Sequence, residues 1–117
     1  MEESPTACDI VRRYLAQALF GGDEVALRET VADSQLSEQA WLFWAAFNDR
    51  QLADIDVLFS DAAGLRVAAH LTATAIQVGD WITATAPDAD LPLTLECTGV
   101  YAIGPDGRIA SSHETWR

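Results

Sequence analysis

The chain has 117 residues, half of them apolar, with 18 acidic against 7 basic side chains and a formal charge of −11. That length supports one folding domain over residues 1–117, with enough apolar content for a core of its own. The acidic excess would repel nucleic-acid phosphates and anionic lipid heads, so neither nucleic acid nor membrane is expected as a partner.

No apolar run approaches the roughly 18 to 20 residues of a membrane span. The start, Met1 to Pro5, lacks the basic and apolar regions of a signal peptide, and a cytoplasmic location is expected. Cys8 and Cys97 stand far apart and form no C-x-x-C pair, so reduced thiols are expected rather than a disulfide framework or a cysteine zinc site.

In chain order, Thr6 and Asp9 have the spacing of a capping box, and Ile10, Val11, Tyr14, Leu15, Ala18 and Leu19 then recur at helical spacing. A helix over 7–20 follows, stopped by Gly21-Gly22. Asp23 caps a second helix running to about Ala32. The polar stretch 33–37 reads as a linker whose Ser37 caps a third helix, 38–50. The apolar run 40–47 makes that helix hydrophobic nearly all round, so it must be covered on more than one side.

Beyond residue 52 the pattern turns to β. Ile55, Val57 and Phe59 alternate with polar residues, the turn 61–64 follows, and 66–74 is a second strand, making a hairpin. Residues 77–92 read as a small flap or extra strand pair. Residues 93–103 are a long strand, Gly104-Pro105-Asp106-Gly107 a tight turn, and 108–116 the last strand. Three helices followed by meandering strands predict an α+β fold, with the helices packed on one face of a curved antiparallel sheet of four to six strands.

The opening Ile10-Val11-Arg12-Arg13-Tyr14-Leu15-Ala16, with Gly22-Asp23 ahead of a second helix, resembles the ketosteroid isomerase and SnoaL-like polyketide cyclase families. Gly99-Val100-Tyr101-Ala102-Ile103, Asp106-Gly107-Arg108-Ile109-Ala110 and Trp116 resemble their closing hairpin and that of limonene epoxide hydrolase. The resemblance runs nearly the whole chain in element order. It implies the cone-shaped, nuclear-transport-factor-2-like (cystatin-like) fold, a fold shared by enzymes and binding modules.

Carried over residue by residue, the resemblance places Tyr14 where isomerases keep the tyrosine that donates to the developing oxyanion. It places Glu114 where the epoxide hydrolases keep a carboxylate on the last strand. Gly99 occupies the position of the isomerases' protonated aspartic acid, and Thr72 and Thr74 stand where the epoxide hydrolases carry an arginine and an aspartate. Neither known site is complete.

Strand parity puts Ser112, Glu114 and Trp116 on one face and His113 and Thr115 on the other. The resemblance turns Glu114 inward, where desolvation would raise its pKa and suit it to general acid or base work. The bland reading is a solvated glutamate. Likewise His70, Thr72 and Thr74 share a face that the resemblance turns toward the pocket, with a structural histidine as the alternative. Val67, Ala69, Leu71 and Ala73 then form an outer apolar stripe, the basis for an expected homodimer. Trp41, Trp44, Phe47 and Trp116 are expected to wall a ligand cavity or to be plain core. Leu95 and Cys97 face the pocket opposite Glu96.

His70 and His113 with scattered acids make no metal-ligand spacing, and there is no phosphate loop or serine-nucleophile elbow, so no metal or cofactor is expected. Three readings stay open. The first is a cofactor-independent cyclase or isomerase acting on a small hydrophobic, carbonyl-bearing, polyketide-like metabolite through Glu114, Tyr14 and His70. The second is a noncatalytic ligand-binding or dimerisation module, and the third an epoxide hydrolase or epoxide-opening cyclase.

Overall fold

The structure, a computed structural model, describes residues 6–61, 65–79, 81 and 92–117. The capping box forms as its spacing requires: Asp9 N donates to Thr6 Oγ1 and Thr6 N to Asp9 Oδ2, each at 3.1 Å. Helix α1 (Ala7–Arg13) then continues, without a break in the chain, as a π-helical segment, Tyr14–Phe20. The helical span is the expected one, but the pitch widens at Tyr14, and π-turns of this kind recur at functional sites. The segment buries Tyr14, Leu15, Ala18, Leu19 and Phe20.

Gly22 turns the chain with φ 69°, and Asp23 Oδ1 accepts from Val25 N and Ala26 N to start α2 (Glu24–Thr30). It ends before Ala32 because Val31 is extended and bridges Ile109 in parallel, with Ala32 N donating to Ile109 O at 2.9 Å.

The same strand carbonyl accepts from Asp33 N, and Asp33 Oδ1 caps α3 (Ser34–Ala46) through Gln35 N at 3.0 Å. The expected linker 33–37 is therefore the cap and first turn of this helix, and Ser37 lies inside it. The helix also stops at Ala46, ahead of the expected end, because Phe47 enters the sheet opposite Gln77. Nor is it covered all round: Phe43 is fully buried, while Trp41 and Leu42 are 50% and 54% exposed.

The sheet is an antiparallel meander in the order β1 (Phe47–Ser60), β2 (Arg66–Gln77), β3 (Pro92–Ile103), β4 (Ile109–Trp116). β1 begins well before the expected residue 52 and carries three register shifts, the first beside Asp49, whose φ is 48°. Bulges of this kind bend a strand and strengthen its twist. Asp61 closes the first hairpin by accepting from Leu65 N at 2.8 Å, and Gly104 to Arg108 close the second. The turn 62–64 and most of the expected flap lie outside the described residues. The α+β architecture of three helices on one face of an antiparallel sheet is thus the one the element order predicts.

One expectation is reversed. In β2 it is Val67, Ala69, Leu71, Ala73 and Ala75 that are buried against the helices, while His70, Thr72 and Thr74 occupy the outer face. Burial of the apolar set removes far more hydrocarbon surface from water than burial of the polar one, and that difference sets the facing. None of the described helices is long and apolar enough to cross a membrane.

Candidate functional site

Two phenols, from two elements, meet at one carboxylate on a third. On the inner face of β3, Leu95, Cys97, Gly99 and Tyr101 alternate with outward residues; on β4, Ser112, Glu114 and Trp116 do the same. Gly99 stands directly opposite Glu114, and Tyr101 opposite Ser112. The Tyr101 ring lies over Gly99, so its hydroxyl reaches diagonally across the strands and donates to Glu114 Oε2 at 2.6 Å. Tyr14, presented by the start of the π-helical segment, donates to the same oxygen at 3.3 Å. The two phenol rings pack with centroids 5.8 Å apart.

Both tyrosines are buried, at 0% and 1% exposure, and both hydroxyls donate to the same carboxylate oxygen. Burial pushes the Glu114 carboxyl above its ordinary value of 4.5, and donation from Tyr101, Tyr14 and the Trp116 indole pulls the other way without cancelling it. Burial first, and then the Glu114 charge, raise both phenols well above the ordinary tyrosine value. The same two causes, in the same order, push the Cys97 thiol up. The phenols therefore stay donors and Cys97 stays a thiol at any physiological pH, leaving Glu114 as the one group of the cluster poised to exchange a proton.

A cavity of about 160 Å³ between the start of α3 and β4 reaches this carboxylate, lined by Asp33, Gln35, Leu36, Gln39, Ser112, Glu114 and Trp116 among others. Trp116 packs on Phe43 at 5.2 Å and also borders a second cavity of about 150 Å³ with Phe47, Trp81, Leu93 and Leu95.

Of the residues singled out in the sequence, the fold brings Tyr14, Glu114, Trp116, Leu95 and Cys97 to the inner side. It does not bring the others there. His70 Nδ1 lies 2.9 Å from Thr98 Oγ1 on the outer face, opposite Asp56. Thr72 and Thr74 share that face, so an imidazole partner for Glu114 and a threonine-lined pocket wall are both corrected. Trp44 is a helix tie: its indole N–H donates to Ala18 O at 3.1 Å and Leu19 O at 2.9 Å, satisfying carbonyls at the end of the π-helical segment. Trp41 packs edge-on against Trp44, and neither borders a cavity described above.

Tyr101 is not among the candidates drawn from the sequence. The signal for it is the glycine two residues earlier on the same face, since a strand glycine often marks the close approach of another group. Among the described residues no three His, Cys, Asp or Glu side chains gather as a metal would require.

No family profile matches the chain, and no curated protein matches its sequence. Solved structures do match its fold. A candidate polyketide cyclase from Pseudomonas putida superposes with a TM-score of 0.75 at 22% identity, covering 97% of this chain and 93% of that one. A second candidate polyketide cyclase, from Xanthomonas campestris, gives 0.70 at 17% identity over 92% and 87%. AclR, a candidate hydroxylase from Streptomyces galilaeus, gives 0.65 at 13% identity over 95% and 88%. At these identities the likeness shows a shared fold.

Proposed function

We propose that the protein is a cofactor-independent cyclase or isomerase that acts in the cytoplasm on a small hydrophobic metabolite, at a carbon next to a carbonyl. The observation that carries this reading is the Glu114 carboxylate, raised in pKa by burial, held by two phenols and bordering a cavity. Glu114 takes the proton from the α-carbon as the C–H electron pair moves toward the carbonyl oxygen. The charge leaves the carboxylate and appears on the enolate oxygen, so the donors that held the first are free to hold the second. Tyr14, whose bond to Glu114 is the longer, is the donor that turns to the new oxyanion. The enolate then either takes the proton back from Glu114 at a different carbon, the far end of a conjugated dienolate, which is isomerisation, or its carbon attacks a second carbonyl carbon of the same molecule, whose new alkoxide oxygen takes the proton, which is cyclisation.

The fold neighbours named as candidate polyketide cyclases agree with this reading. The position of Thr72 and Thr74 on the outer face takes support from the epoxide-opening alternative. The binding-module reading has one observation in its favour: the two phenols and the carboxylate already satisfy one another without a ligand.

The test is α-proton exchange. Enolisable ring ketones are incubated with the protein in heavy water and deuterium uptake is read by NMR. Wild-type protein is expected to accelerate exchange for at least one ketone, and Glu114→Gln to lose roughly two to four orders of magnitude. Ketones that bind wild-type protein but exchange only at the solvent rate would leave a binding module.

A further inference from the structure

The second cavity carries an unfilled demand. Its walls are mainly aromatic and aliphatic, from Phe47, Trp81, Leu93, Leu95 and Trp116, with Gln77, Thr94 and Arg117 completing the lining. The Trp81 ring lies 5.9 Å from Phe47, 5.4 Å from Phe43 and 6.0 Å from Trp116, in edge-to-face arrangements. Its indole N–H is buried and, among the described residues, has no hydrogen-bond partner. Buried donors are almost always paired, because an unpaired one forfeits its hydration for nothing. A mainly apolar chamber with an unpaired buried donor in its wall has the form of a small-molecule subsite, in which hydrocarbon contacts hold the ligand and a few polar contacts orient it.

Size narrows the ligand. An apolar cavity of about 150 Å³ takes one benzene-sized ring. The chamber beside Trp81 measures about 150 Å³ and the one at Glu114 about 160 Å³, with Trp116 bordering both. One ring therefore fills the chamber beside Trp81, and a tetracyclic molecule exceeds both spaces together.

Building on the proton-transfer reading above, we infer that the Trp81 chamber is a specificity subsite for the distal ring of a one- or two-ring ketone, and that Trp81 Nε1–H donates to an oxygen on that ring. The carbonyl ring occupies the Glu114 side. Trp116 borders both spaces.

Three probes separate the claims: β-tetralone, its derivative with a methoxy group on the far ring, and a tetracyclic steroid ketone. Affinity is read by calorimetry and by tryptophan fluorescence, independently of turnover. Wild-type protein is expected to bind the methoxy compound about three- to tenfold more tightly than β-tetralone, the scale of one hydrogen bond, and to bind the steroid least. Trp81→Phe keeps a ring in the wall and removes the donor, so it should abolish the methoxy preference while leaving β-tetralone affinity in place. Leu93→Phe, which fills the chamber from a half-buried position, should weaken both tetralones.

Tightest binding of the steroid, or an undiminished methoxy preference in Trp81→Phe, would overturn the subsite. If these affinities behave as expected while no probe exchanges its α-proton, the subsite stands and the catalytic reading fails. If exchange occurs but both substitutions leave affinity untouched, the reverse holds.

Discussion

Gly99 and Tyr101 share one space: a Cβ on Gly99 would lie 2.4 Å from the Tyr101 hydroxyl oxygen and 2.6 Å from Cζ. The absence of a side chain at 99 is what lets the phenol fold back over β3 and reach Glu114. In an ordinary strand Gly→Ala is favourable by roughly 0.5–1 kcal/mol. Here Gly99→Ala should instead destabilise by about 1–3 kcal/mol, the usual cost of overpacking. In a Tyr101→Ala background the same change should cost little or nothing, a non-additivity that urea unfolding of the four proteins would reveal. Additive losses would show that the two positions do not compete for space.

Each phenol favours the ionised form of Glu114, so removing either should raise the Glu114 pKa further. If the carboxylate is the working base, activity rises as pH climbs through that pKa. The acid limb of kcat/KM against pH should then move upward in both Tyr14→Phe and Tyr101→Phe. The shift should be larger for Tyr101→Phe, whose bond is 2.6 Å against 3.3 Å. Tyr14→Phe should in turn lose more kcat, through the oxyanion donor. A limb that stays in place in both variants would separate the phenols from the base.

Glu114 ionises less readily in the fold than in the unfolded chain, because burial outweighs its donors. A carboxyl with a raised folded pKa gives its full contribution to stability below its unfolded value, near 4.5, and loses it as pH rises through the folded value. Glu114→Gln is neutral throughout. Its stability relative to wild type should therefore improve as pH rises above 4.5 and level off once the folded pKa is passed. Thermal melts of both proteins from about pH 4 to about pH 8 would measure this. A constant gap would mean that the carboxylate is hydrated.

The stripe first expected to mediate a homodimer, Val67 to Ala73, is core, and a dimer must use other residues of the outer face. Phe59, Ala68, Val100 and His113 form one cross-strand row there, and Phe59 and Val100 are 56% and 46% exposed. A homodimer is expected across this row, with Val100→Lys weakening it by at least about tenfold. Sedimentation velocity at micromolar protein reads the result, and a monomeric wild type would remove the claim.

The residues of the chain settle a good deal by themselves. Thr6, Asp9 and Asp23 specify two helix starts because a cap is a local contact between near neighbours in sequence. The glycine-rich turn 104–107 likewise specifies the closing hairpin, and parity along β4 puts Glu114 with Trp116 and against His113. The α3 start was misplaced because Asp33 is held by Ile109, a strand residue far along the chain, and no local pattern reports that bond. Alternation in β2 divides His70, Thr72 and Thr74 from Val67, Ala69, Leu71 and Ala73 without saying which set faces in. The resemblance, keyed to the polar positions, chose the first set; hydrophobic burial under the helices chose the second. The Tyr101 contact depends on the β3–β4 register that sets Gly99 against Glu114, and on a helix from the other end of the chain that brings Tyr14. Local hydrogen bonding can be read from neighbouring residues, but the convergence of two phenols, from a strand and a helix, on one carboxylate exists only once the sheet and helices have packed.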